Sequence, residues 1–149
     1  MIQQPDTRPY VLLVPMDGSA GALRALDAAI AVVRDHPGAR VPLLNVQAPL
    51  VEVWPEKLVD EDMRKAHYER EARAALIPAE KVLGGAAIPY DSEVRVGPVA
   101  LTIADVAAQR GCRRIVMGTR GLGNLRTLVI GSVAVEVVHR ATMPVTLVK

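Results

Sequence analysis

The sequence has no phenylalanine, one tryptophan and one cysteine. Nowhere does an apolar run approach the ~18 residues needed to cross a bilayer. Each shortage excludes something. Cys112 alone cannot form an intramolecular disulfide, and nothing implies an oxidising compartment. With aromatics at 3%, the core has to be filled by Val, Leu, Ile and Ala. Half of the 149 residues are hydrophobic, which argues against disorder and for one folded domain over residues 1–149. The opening Met1-Ile2-Gln3-Gln4-Pro5-Asp6 has neither the basic cluster nor the apolar run of a signal peptide, so a cytoplasmic location with no membrane contact is expected. A net charge of +2 is too mild to imply a nucleic-acid partner.

The chemistry that depends on short motifs is thin as well. No Gly-x-Ser-x-Gly elbow surrounds Ser19 or Ser132, and no Gly-Lys-(Ser/Thr) phosphate loop exists. Gly121-Leu122-Gly123-Asn124-Leu125-Arg126 starts like a dinucleotide fingerprint but lacks the third glycine. His36, His67 and His139 have no partner at metal-ligand spacing. No catalytic residue and no protein-held metal is expected. One absence is local: from Val106 to Val135 there is no Asp or Glu, while Arg110, Arg113, Arg114, Arg120 and Arg126 all fall there. An anion nearby would be favoured.

What is present alternates. Tyr10–Val14 is an apolar run without a period of two, as for a strand covered on both faces. Pro15-Met16-Asp17-Gly18-Ser19 breaks it, and Leu23, Leu26, Ile30 and Val33 then recur at helical spacing with Ser19 as N-cap. Further strands are expected over Val41–Val46, Ser92–Val96, Arg114–Met117 and Val145–Val148. Further helices are expected over Asp60 to about Leu76, along Val99, Ile103, Val106 and Ala107, and over Ser132 to about Arg140. Strands alternating with helices specify right-handed crossovers, so the fold class is α/β: one doubly wound, Rossmann-like, mostly parallel five-stranded sheet with helices on both faces. Pro78 should kink the long helical segment or split it in two. The Ala48–Val59 connection, with Trp54-Pro55, is long enough to be functional or mobile.

Met117 to Ala134 is the most informative stretch. Its glycines, at 118, 121, 123 and 131, follow a strand and precede a helix. Glycines let the main chain approach a ligand, and the helix start near Ser132 adds a favourable dipole for an anion. The plainer alternative is that Gly118 and Gly121 only turn the chain and Gly131-Ser132 only caps a helix. Ser132 could cap that helix or bond a phosphate oxygen. Asp17, at the end of the first strand, lies where open α/β sheets bind ligands, or else interacts with a helix dipole. Cys112, beside Arg113 and Arg114, is either packed or activated by them. Those two arginines precede a strand, so they are expected on solvated surface at the end of the sheet away from the crevice.

The spacing Gly118-x2-Gly121-x9-Gly131-Ser132 resembles the ATP-binding signature of universal stress proteins. Val14–Ser19 is similar to that family's first strand and acidic turn, Leu43–Val46 to its second strand, and Pro144–Val148 to its closing strand. The resemblance implies the adenine nucleotide hydrolase-like fold and an ATP site, with Mg²⁺ brought by the nucleotide. It places Asp17 by the adenosine and Val46 against the adenine, and has Pro15 and Met117 line the pocket. Gly118, Arg120 and Gly121 would lie in the loop around ribose and phosphates, and the amides of Gly131, Ser132 and Val133 would meet phosphate. Ala134 departs from the Ser or Thr of many members, which removes one hydroxyl. The resemblance further implies a homodimer through Val145–Val148 and an unidentified protein partner for a nucleotide-responsive stress module. A slow ATP hydrolase and an interaction scaffold that binds no nucleotide are the alternatives. A Gly118→Val side chain is expected to enter the ligand's space with little loss of secondary structure.

Overall fold

Residues 7–50, 60–122 and 130–149 are described by a computed structural model. Gly123, Arg126, Met1–Asp6 and the Ala48–Val59 connection beyond Leu50 lie outside them. The first strand, β1 (Leu12–Pro15), sends Leu12 and Val14 into one layer and Leu13 into the opposite one. All three are fully buried, so the strand has no polar face and its sequence no period of two. Around it lie β2 (Leu43–Gln47), β3 (Ser92–Val96), β4 (Arg114–Gly118) and β5 (Val145–Val148), in the order β3-β2-β1-β4-β5. Every pairing is parallel, with Val14 opposite Leu43 and Leu12 opposite Arg114. β2 starts later than expected. Pro42 has no N–H to donate, and the Val41 N–H goes to the Pro89 carbonyl.

Four helices cover the sheet: α1 (Ala20–Val33), α2 (Glu61–Gly85), α3 (Val99–Gln109) and α4 (Ser132–Arg140). Leu26, Ile30 and Val33 of α1 and Leu76 and Leu83 of α2 pack on Leu12, Val14, Leu43 and Val116. Ile103, Val106 and Ala107 of α3 and Val137 of α4 pack on Leu13, Leu44, Ile115 and Met117. Each of these leucines and isoleucines stabilises the fold by about 1.5–3 kcal/mol through burial. Ser19 caps α1 as expected, its Oγ accepting the Ala22 N–H at 3.1 Å. Asp60 does the same for α2, accepting from Met63 at 2.7 Å.

Pro78 does not split the helix: α2 runs through it for 25 residues. Its buried face, Ala72, Ala75, Leu76, Ala79 and Leu83, continues at helical spacing on both sides of the proline. Burial over two turns each way outweighs the one hydrogen bond and the local clash that proline introduces.

Arg113 and Arg114 are less solvated than expected. The Arg113 guanidinium lies 5.4 Å from the centre of the Tyr10 ring, and Arg114 donates to Thr146 Oγ1 at 2.7 Å. Cys112 is packed rather than activated. Burial pushes its thiol above the ordinary value of 9.0; Arg110 opposes this and Asp91 adds to it. The topology then fixes where a ligand can enter. α1 leaves β1 toward one face and α4 leaves β4 toward the other, opening a crevice between the C-terminal ends of these neighbouring strands.

Candidate functional site

The crevice holds a cavity of about 350 Å³, within the range of small-molecule sites. All ten residues expected at the site line it, drawn from β1, β2, β4 and the start of α4. A larger hollow of about 520 Å³ runs along α2 beside Val94, bordered by Glu61, Arg64, Lys65 and Glu69. Those side chains are open to solvent, and none of the ten lines it. We take the smaller cavity as the candidate site.

On the β1 side, Pro15 ends the strand and Met16 is still tied to β2, its N–H donating to the Leu44 carbonyl at 2.8 Å. Asp17 follows on the surface. Its Oδ1 accepts the Ser19 N–H at 2.9 Å, while Oδ2 faces Gly121 across the crevice. Gly18 turns the chain at φ +84, in the left-handed region that side chains other than glycine resist. Val46 supplies an apolar wall with Leu44, and Val99 and Ile103 of α3 continue it.

The β4 side carries the glycines, and they do not act alike. A Cβ at Gly118 would meet the Gly21 main chain at 2.8 Å, so Gly118 lines the cavity but keeps its bare face for α1. This corrects the expected effect of Gly118→Val: the added atoms collide with the helix start rather than enter the ligand's space. Gly121 is the glycine that keeps the crevice open. A Cβ there would stand 2.5 Å from Asp17 Oδ2. Met117 is buried beside the apolar wall, and Arg120 is exposed at the rim.

Gly131 is the N-cap of α4, and its amide is already committed, donating to the Thr119 carbonyl at 2.6 Å. In this structure that amide, expected to meet phosphate, is bonded within the loop instead. The hydrogen bond folds the loop's far end back on its beginning. Behind it the first-turn amides of Ser132, Val133 and Ala134 have no intrahelical acceptor, because the first internal bond runs from Val135 to the Gly131 carbonyl. Ser132 does not cap the helix with its side chain, so of its two expected roles only the ligand-facing one stays open. Ala134 lines the cavity while packed in the core at 3% exposure.

Thr119, Met16, Val99 and Ile103 also line the cavity and were missed in the sequence. Thr119 follows the first glycine of the loop and is a buried polar residue, a signal that could have been read. Val99 and Ile103 show only helical spacing, which reads as core. Among the described residues no group of three His, Cys, Asp or Glu side chains could hold a metal ion.

A cavity at the β1–β4 switch point, floored by Val and Ile and ended by helix-start amides with no acceptor among the described residues, is suited to a ligand with an apolar body and an anionic tail. Comparison with known proteins agrees on the family. The model of the universal stress protein family matches residues 11–149. A universal stress protein of Thermus aquaticus is 33% identical over 138 residues, covering 93% of this chain and 97% of its own length. One from Mycolicibacterium smegmatis is 31% identical over 144 residues, and there the chain spans only 48% of the relative's length. Among solved structures, the hypothetical protein MJ0577 superimposes with a TM-score of 0.82 at 27% identity, covering 94% of this chain and 95% of that one. More distant neighbours that share the fold include a universal stress protein in complex with cAMP, at TM-score 0.68 and 23% identity over 94% of this chain and 97% of that one. An Arabidopsis thaliana member with AMP bound has TM-score 0.68 at 16% identity over 95% and 92%. No helix among the described residues is long and apolar enough to cross a membrane. The five-stranded parallel sheet and the match over nearly the whole sequence lead to one conclusion: the chain belongs to the universal stress protein family.

Proposed function

We propose that the chain binds ATP in the β1–β4 crevice, with Mg²⁺ carried by the nucleotide. In this reading it works as a single-domain, cytoplasmic, homodimeric module whose state a partner protein reads during stress. One observation carries the reading: ten residues from four separate segments line a single cavity that ends on first-turn amides of α4 with no acceptor among the described residues. The fit is chemical. Val46, Val99 and Ile103 offer an apolar wall for adenine, Asp17 Oδ2, without a partner among the described residues, an acceptor for a ribose hydroxyl, and Ser132 and Val133 main-chain donors for phosphate. Arg120 adds a cation at the rim, and the stretch from Val106 to Val135 contributes no carboxylate that would oppose the anion. The bound Mg²⁺ would offset phosphate charge, and the protein's own part is to bind and orient.

The dimer rests on β5. The Pro144 and Val148 carbonyls accept from Ile115 and Thr119, so the even-numbered residues of β5 face β4. Val145 and Leu147 therefore turn their main-chain groups to the open edge, where a second copy can add its strand. Titration calorimetry with Mg·ATP tests the nucleotide and sedimentation equilibrium tests the dimer. One nucleotide per chain and a two-chain mass are expected. No heat at millimolar ATP overturns the first, and a monomer at tens of micromolar overturns the second. AMP and cAMP, the ligands of two solved neighbours, belong in the same titration.

A further inference from the structure

Three polar side chains are buried among the described residues: Ser19, Asn45 and Thr119. Ser19 and Thr119 line the cavity; Asn45 does not, although Leu44 and Val46 on either side of it do. Asn45 is 4% exposed in β2, which is flanked by strands on both sides. An amide there costs stability unless its hydrogen bonds are met. They are met in one direction. Asn45 Nδ2 donates to the Met16 carbonyl at 2.8 Å, and its Oδ1 accepts from Gln47 Nε2 at 2.9 Å. Gln47 Nε2 in turn reaches the Tyr68 carbonyl of α2 at 2.9 Å, so the relay is anchored in a helix that does not line the site.

Both main-chain polar groups of Met16 are thus held from β2, its N–H by the Leu44 carbonyl and its carbonyl by Asn45. The next residue is Asp17. We infer that Asn45 is a positioning residue for the nucleotide: through Met16 it holds the Asp17 carboxylate at the height where Oδ2 faces Gly121. The inference rests on the nucleotide reading proposed above. Gln47 is its brace, and neither side chain touches the ligand.

Asn45→Leu keeps the volume and removes both bonds; Gln47→Met is the milder variant and removes only the brace. ATP affinity should fall about tenfold in Asn45→Leu and less in Gln47→Met. A residue that acts through Asp17 loses its effect once Asp17 is gone, so in an Asp17→Ala background both substitutions should change ATP affinity less than twofold. Losses that add in full to that of Asp17→Ala, or an Asn45→Leu chain that binds ATP like the parent, overturn the inference. Should the parent chain bind no ATP, the nucleotide reading falls by itself. Hydrogen exchange at the Ser19 amide, bonded to Asp17 Oδ1, then decides whether Asn45 holds the turn. About tenfold faster exchange in Asn45→Leu supports the hold, and an unchanged rate overturns it.

Discussion

Gly118 and Gly121 belong to one glycine signature, yet their surroundings require opposite outcomes when each becomes alanine. At Gly118 the new methyl meets Gly21 C at 2.8 Å and Gly21 O at 3.0 Å, main-chain atoms at the start of α1 that cannot rotate away. Overpacking costs about 1–3 kcal/mol, and immovable backbone puts this case near the top of that range. The stiffer unfolded chain returns about 0.4–1 kcal/mol, leaving a net loss of about 2 kcal/mol. At about 2–4 °C per kcal/mol for a domain of this size, Gly118→Ala should melt about 4–8 °C below the parent. At Gly121 the methyl meets Asp17 Oδ2 at 2.5 Å, the end of a side chain that can swing aside. Stability should move by less than about 0.5 kcal/mol. The displaced carboxylate, however, forfeits a charge-assisted bond of about 1.5–3 kcal/mol, or roughly ten- to a hundredfold in ATP affinity. Thermal melts without nucleotide and calorimetry with it measure both. A Gly118→Ala chain that melts with the parent, or a Gly121→Ala chain that melts several degrees lower and binds ATP unchanged, would refute this division of labour.

Ser19→Ala removes the cap of α1 and should cost about 1 kcal/mol, read as a drop of about 2–4 °C in the melting temperature. Cys112 gives a pH signature. Its folded-state pKa is raised, so its contribution to stability is whole below the unfolded value of 9.0 and is lost as pH climbs toward the folded one. Urea midpoints should fall above that pH, and Cys112→Ala should flatten the decline; an identical slope in the variant would show that other groups cause it. Pro78→Ala restores an N–H for the Ala74 carbonyl and should raise stability by up to about 3 kcal/mol. A lower urea midpoint would mean that α2 depends on the proline's shape.

The fold was legible because its signals are local. The unbroken apolarity of Leu12–Val14 marks a strand covered on both sides, and Ser19 sits where a helix needs a cap. Pro78 does not end α2, because the penalty of a proline is a property of its own turn, whereas α2 is held by contacts of Leu76 and Leu83 made elsewhere. The lining of the cavity was legible as a set of residues through the glycine spacing and the family resemblance, but not in the tasks of its members. Nothing in the spacing tells that the Gly131 amide is consumed by Thr119, or that Gly118 is bare for the sake of Gly21. Asn45 gave no signal, since a lone amide in a strand acquires meaning only when its acceptor, 29 residues away, is known.

The parallel sheet also sets an order of events as the polypeptide is made. β1 is synthesised early but its partner on one side, β4, lies about a hundred residues later, so one flank of the central strand waits for most of the synthesis to finish. The crevice has the same seam: residues 15–46 supply one half and residues 99–134 the other. No ligand can steady the first half while it emerges, and the long-range closure is slow for entropic reasons. Nascent chains lacking the last third should be the ones that chaperones hold and proteases cut.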